Sequence, residues 1–236
     1  MLRYFLLGVF LLAISACTAE PVLNLEELEG NARGGDQQAI AQLVDLLSAE
    51  DQGVSDRIYK VVISVGEQAV PVLLGRVHDQ NKQLREYVIA ALGTLKVVDA
   101  ISPIGEVLAQ KNLQRRYVAA WALGEISDVK AVPALVSSLD DANSEVRRYA
   151  TRALIKLNKL AVMPLIAYLA EAEGEGAAAA IRALGDIADK RALDVLLVHA
   201  EGAQRAEAFL ALGKLRDSRA ELTPLSSPDV SYLRYA

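Results

Sequence analysis

A chain of 236 residues is long enough for one sizeable core or one elongated array. Hydrophobic residues reach 53% while aromatics are only 5%, so the apolar mass is Ala, Leu and Val, which suits close helix packing better than a β-sandwich. The formal charge of −5 argues against a phosphate-binding face and hence against nucleic acid as partner, and one Cys with two His (His78 and His199) excludes an intramolecular disulfide and leaves little for a metal centre.

Residues 1–16 read as an export signal. Arg3 supplies the positive charge, Phe5 to Ile14 form an apolar run too short to span a bilayer, and Ser15 and Ala16 are small. The stretch Ile14-Ser15-Ala16-Cys17 resembles the lipobox of bacterial lipoproteins. That resemblance implies that Cys17 becomes the first residue of the mature chain and carries the lipid, including a palmitate-type acyl chain, that anchors it. Thr18 stands where an Asp would favour retention in the inner membrane, so the resemblance implies the outer membrane, with the protein facing the periplasm. The residues alone also fit an ordinary signal peptide with a chance Cys. Residues 17–35 are a short tether and an opening helix, with Asn24 as its cap and Gly34-Gly35 as its end. Asp36 caps the next helix, whose buried face is expected to be Ile40, Leu43, Val44 and Leu47.

From Asp36 to about residue 225 the chain repeats. First helices align on Gly66, Gly93, Gly124, Ile155, Gly185 and Gly213, at steps of 27 to 31 residues. Each Gly is expected to be the left-handed residue that closes its helix. Asp128, Asp189 and Asp217 follow at a spacing that lets them cap the next turn, and Pro71, Pro103, Pro133 and Pro164 fall in the first turn of the second helix. Ala119, Ala120 and Ala122 let neighbouring helices approach closely. A single pair of this kind cannot bury its apolar face, so pairs must stack.

The segments Val146-Arg147-Arg148-Tyr149-Ala150, Ala122-Leu123-Gly124-Glu125-Ile126-Ser127-Asp128 and Ala131-Val132-Pro133-Ala134-Leu135-Val136 resemble the HEAT-repeat family, specifically the short HEAT-like repeats of the phycobilisome-lyase type. The resemblance implies an all-α fold: a right-handed α-solenoid, an armadillo-like superhelix of about six stacked helix pairs. It also implies a structural ladder in which Arg85, Arg116, Arg147 and Arg205 bond acidic residues of the inter-repeat turns, with Asp79, Asp140 and Asp141 available. The segment Glu171 to Ala180 lacks the Arg and any large apolar side chain, and reads as a loose hinge or as an acidic docking notch. Residues 226–236 look like a truncated further helix that caps the array or pairs with another chain.

No Gly-rich phosphate loop, nucleophile elbow or zinc signature is present, so no catalytic residue, cofactor or metal is expected. In HEAT arrays the second helices line the concave side, which puts Arg76, Glu106, Ser137, Ser138, Tyr168 and His199 forward as partner contacts. The expected function is a non-catalytic, membrane-tethered scaffold or adaptor that binds another protein of the cell envelope. The alternatives are a lyase-like or accessory subunit that binds a small ligand or chromophore, and an assembly factor that polymerises through its ends.

Overall fold

A computed structural model describes residues 24–215. Among these there is no strand, and the chain is an all-α solenoid of six helix pairs and one further first helix. The first helices are α1 (Leu25–Arg33), α3 (Gln52–Val65), α5 (Lys82–Thr94), α7 (Tyr117–Ile126), α9 (Ser144–Leu157), α11 (Gly174–Ile187) and α13 (Arg205–Leu215). The second helices are α2 (Gln37–Asp45), α4 (Val70–Gly75), α6 (Ile101–Ala109), α8 (Val132–Ser137), α10 (Lys159–Leu169) and α12 (Leu193–His199). Each first helix packs on the first helices before and after it, and the second helices form a parallel row beside them. The opening helix α1 packs on α2 and α3, so it is part of the array. Cys17, the residues before it and the segment 226–236 lie outside the described residues.

Short polar residues set the helix starts. Asn24, Asp36, Asp51, Asn81 and Asn143 each accept a backbone N–H of the first turn that follows. Asp128 and Asp189 do the same for the short 3-10 turns that open two second helices. Pro71 and Pro133 stand in the first turn of α4 and α8, where a missing N–H costs nothing. Pro164 does not follow that expectation: α10 starts directly at Lys159, without a separate 3-10 turn, so Pro164 falls inside the helix. The expected face of α2 is the observed one, with Ile40, Leu43, Val44 and Leu47 all fully buried.

The recurring glycines do a different job from the one expected. Only Gly66 has a positive φ (69°) and closes its helix. The left-handed residues of the following repeats are Lys96, Ser127, Asn158 and Ala188, each three residues past the aligned position. Gly66 is therefore the counterpart of Lys96, and aligning it with Gly93 shifts the first unit by three. Gly93, Gly124 and Gly185 lie within their helices because of their neighbours. A Cβ at Gly124 would stand 2.9 Å from the Cα of Ala153, one at Gly93 would stand 2.8 Å from the Cα of Ala122, and one at Gly185 would stand 2.7 Å from the Cα of Ala211. The obstacle is backbone, which cannot give way as a side-chain tip can.

The arginine ladder is real at only one rung as expected. Arg116 forms a two-pronged ion pair with Asp141, Nη1 to Oδ2 at 2.6 Å and Nη2 to Oδ1 at 3.0 Å, with both side chains buried. It also donates to the Leu108 carbonyl at 3.0 Å. Arg85 and Arg147 bond main-chain oxygens instead, those of Asp79 at 2.7 Å and Asp141 at 2.8 Å, so they tie their own inter-repeat turns. Arg205 lies over the Phe209 ring at 5.6 Å. Asp140 accepts from the Tyr168 hydroxyl at 2.6 Å.

Two outcomes check this packing. Gly124→Ala should destabilise the array by about 1–3 kcal/mol through overpacking, whereas Gly213→Ala, with open space around it, should stabilise it by about 0.5 kcal/mol in urea melts. Asp141→Asn should cost roughly 3–5 kcal/mol at neutral pH, because it leaves Arg116 buried without its charge partner. The Arg116 hydrogen bond holds the Asp141 carboxyl below the ordinary carboxylate range. Its contribution is thus present above the unfolded Asp pKa and is lost as pH falls towards the lower folded value, so the difference between the native chain and Asp141→Asn should shrink in acid.

Candidate partner-binding surface

The second-helix positions expected to meet a partner are mostly engaged within the chain. Arg76 pairs with Asp45 of the preceding repeat at 2.6 Å and with Asp79 at 3.4 Å. Glu106 faces His78 at 3.4 Å. His199 Nε2 lies 3.3 Å from the Leu169 carbonyl. Ser137 is exposed at the end of α8, but Ser138 is buried and its hydroxyl donates to the Ala134 carbonyl at 2.8 Å. Ser138 therefore offers nothing to a partner, and neither does buried Val107 in the same column. One residue earlier on each helix, Gly75, Glu106, Ser137, Ala167 and Val198 are all exposed. The helical turn of about 100° per residue explains the difference between the two columns.

Tyr168 belongs to the segment read as hinge or notch. Residues 174–187 form a regular helix, and Gly176 to Ile181 are buried. A Cβ at Gly176 would collide with the Tyr168 hydroxyl and the Asp140 carboxylate. Small residues are needed here because helix α11 comes close to its neighbours, so this join is tight. Burial and the Asp140 contact push the Tyr168 hydroxyl pKa well above its ordinary value.

The opposite row has a recess walled by aromatic side chains. Between α7 and α9 runs a groove of about 520 Å³ walled by Tyr117, Trp121 and Tyr149, with Glu125, Arg152 and Lys156 along it. The Tyr117 and Tyr149 rings stack at 5.1 Å with 27° between planes. Arg148 and Arg152 lie over the Tyr149 ring at 5.1 Å and 5.8 Å. Lys156 is neutralised by Glu125 at 2.5 Å, and Arg148 by Glu145 at 2.5 Å. Arg152 has no carboxylate partner among the described residues. Gly124 and Ala153 lie beneath, so the close approach that fixes the stacking also leaves room between the larger side chains.

A second recess of about 570 Å³ shares Val118 with the first and includes Glu86, Tyr87 and Arg115. Glu86 pairs with Arg115 at 2.8 Å through one oxygen, while its other oxygen is buried without a hydrogen-bond partner. Burial raises the Glu86 carboxyl pKa despite Arg115. Burial and the Asp56 carboxylate, which accepts from the Tyr87 hydroxyl at 2.5 Å, push Tyr87 up to about 12. Tyr87 also tilts against Tyr59 at 5.8 Å. Among the described residues no group of three His, Cys, Asp or Glu side chains converges as a metal site.

The aromatic row escaped the sequence reading, although a signal was present. Tyr117 and Trp121 are four apart, on one helix face, and Tyr149 stands one period after Val118. The aromatic wall forms only when successive first helices stack.

Residues 70–155 match a family model described as HEAT repeats, and residues 177–200 match the PBS lyase HEAT-like repeat. No match is found among curated proteins. Among solved structures, the chain is similar to the complex of CpcE and CpcF of phycocyanin lyase from Nostoc sp. PCC7120, at 21% identity over 84% of this chain and 83% of that one, with a TM-score of 0.44. It is also similar to a designed armadillo repeat protein in complex with the peptide (KR)4, at 22% identity over 74% of this chain and 98% of that one, with a TM-score of 0.43. Human deoxyhypusine hydroxylase in complex with glycerol is 16% identical over 80% of this chain and 98% of that one, with a TM-score of 0.34. Residues 70–155 and 177–200 thus match HEAT-type repeat models, within an array that is helical throughout its repeats among the described residues.

Glu86 gives a test of the second recess. Its ionised form is penalised in the folded state, so stability should rise as pH falls through the raised carboxyl pKa towards the ordinary Glu value. Glu86→Gln should remove that rise and change stability at neutral pH by less than about 1 kcal/mol, since the Arg115 pair is half open to solvent. Urea melts across the acid range measure both.

Proposed function

We propose that this protein is a non-catalytic scaffold of the bacterial cell envelope, held at a membrane by lipid on Cys17 and binding another protein in the α7–α9 groove. The observation that carries the binding part is the groove itself: three aromatic walls and one arginine without a carboxylate. Aromatic and Arg side chains give most of the energy in protein interfaces, because they bury large areas at low entropic cost. The second-helix row is the weaker choice, since Arg76, Glu106, Tyr168 and His199 already hold partners inside the chain. The tether rests on the lipobox-like stretch before Cys17, and the outer-membrane location on Thr18 after it.

In-cell crosslinking with mass spectrometry of the lipidated protein identifies the partner. Trp121→Ala and Arg152→Glu should then each weaken its capture by roughly tenfold or more, while Arg76→Glu leaves it within about twofold. The reverse pattern would put the partner on the second helices. Metabolic labelling with palmitate should mark the native chain and not Cys17→Ala, and unlabelled native protein would remove the tether from the proposal. A chromophore or small ligand found bound by native mass spectrometry would favour the accessory-subunit reading, because a recess of this size also fits a flat ring system.

A further inference from the structure

Arg85 and Arg116 hold the same place in successive repeats, 31 residues apart, and are buried alike, at 8% and 6% exposure. Their bonding differs. Arg116 donates to the Leu108 and Leu113 carbonyls and to both oxygens of Asp141. Arg85 makes one hydrogen bond, Nη1 to the Asp79 carbonyl at 2.7 Å, and has no ion pair among the described residues. One residue accounts for the difference. Asp141 directly follows the 3-10 turn that ends at Asp140, and the residue 31 places before it, just past the end of α6, is Gln110. An amide thus stands where the next repeat has a carboxylate. The Arg85 side chain instead lines a recess of about 500 Å³ with His78, Gln80, Glu106, Gln110 and Asn112. Asn112 is in register with Asn143, whose backbone N–H donates to Asp141 at 2.9 Å. The Arg116–Asp141 pair therefore shows, within this molecule, how a carboxylate sits against such a guanidinium.

We infer that this recess is a binding site for a carboxylate, which takes against Arg85 the place that Asp141 takes against Arg116. A guanidinium carries several N–H donors in a fixed fork, and most of those of Arg85 are not engaged within the chain. A buried charge is costly until it is paired. Water can meet the N–H groups, but a carboxylate meets the charge as well, and its two oxygens match the fork. The nearby acids are occupied elsewhere. The Asp79 carboxylate accepts from Asn81 N–H at 2.8 Å and pairs with Arg76 at 3.4 Å. Glu106 faces His78 at 3.4 Å. Because Glu106 lies in the same recess, a singly charged carboxylate fits better than a doubly charged phosphate. The volume admits a small carboxylic acid or one acidic side chain of a partner, and both present the same chemistry to Arg85. The recess shares no residue with the α7–α9 groove, so the site stands whether or not the groove binds a protein.

Titration calorimetry on the full chain, kept in nonionic detergent at neutral pH, tests this. The probes are succinate with succinamide, the blocked peptide acetyl-Gly-Asp-Gly-amide with its Asn counterpart, and inorganic phosphate. At least one carboxylate probe should bind, and its amide counterpart should bind roughly tenfold more weakly or not at all. Binding of succinate alone assigns the site to a free acid, and binding of the Asp peptide assigns it to an acidic side chain of a partner. Arg85→Lys keeps the charge but loses the fork, and should weaken binding by roughly tenfold. Gln110→Asp supplies the carboxylate from within the chain. It should abolish binding and raise the midpoint of a urea melt, a pair of changes that a misfolded variant cannot produce. Arg152→Glu should leave binding within about twofold, which separates this recess from the groove. Failure of both carboxylate probes to bind at millimolar concentration, equal binding of the amides, tighter binding of phosphate, or binding that survives Gln110→Asp would overturn the inference.

Discussion

Everything in this molecule depends on how closely one first helix can approach the next. A pair of short helices rich in Ala and Leu has more apolar surface than it can bury alone, so the pair is stable only between neighbours. Gly93, Gly124 and Gly185 bring the backbones together at Ala122, Ala153 and Ala211, at distances that no other residue permits. Dispersion between atoms in contact is small per pair and large in sum. Packing in the array therefore favours the smallest residues at the crossing points, and the larger side chains are displaced to either side. The Arg116–Asp141 pair then fixes one repeat against the next by direction as well as by contact, because a planar guanidinium meets a carboxylate in a single geometry.

That constraint also decides where the surface can vary. Positions at the crossings and caps are committed to structure, as are the arginines that close the turns. The aromatic residues cannot fit at the crossings, so they flank them, and the α7–α9 groove is the gap between two such flanks. The turns are freer still. A short intra-repeat turn needs only one residue in the left-handed region, and among the six described turns four of these residues are not Gly. Lys96, Ser127, Asn158 and Ala188 hold positive φ at a modest cost that the packed helices on either side impose. The side chains beside them are left to set charge and exposure.

The sequence disclosed the period, the class of fold and the buried face of α2, because those follow from spacing and polarity alone. It misled where one residue type serves two purposes. Glycine closes a helix at Gly66 and thins one at Gly124, and nothing in the identity of the residue tells these apart. Arginine behaves likewise: Arg85, Arg116 and Arg147 share a register, yet only Arg116 reaches a carboxylate, since its partner sits in the following turn. Ser138 was assigned to the surface although the start of its helix set the phase one residue off. The Gly174–Ala180 stretch looked loose because small residues also mark flexible segments, and only the facing Tyr168 and Asp140 show why they must be small. The groove was hidden for a related reason, as Tyr149 joins Tyr117 and Trp121 only through stacking across a whole repeat.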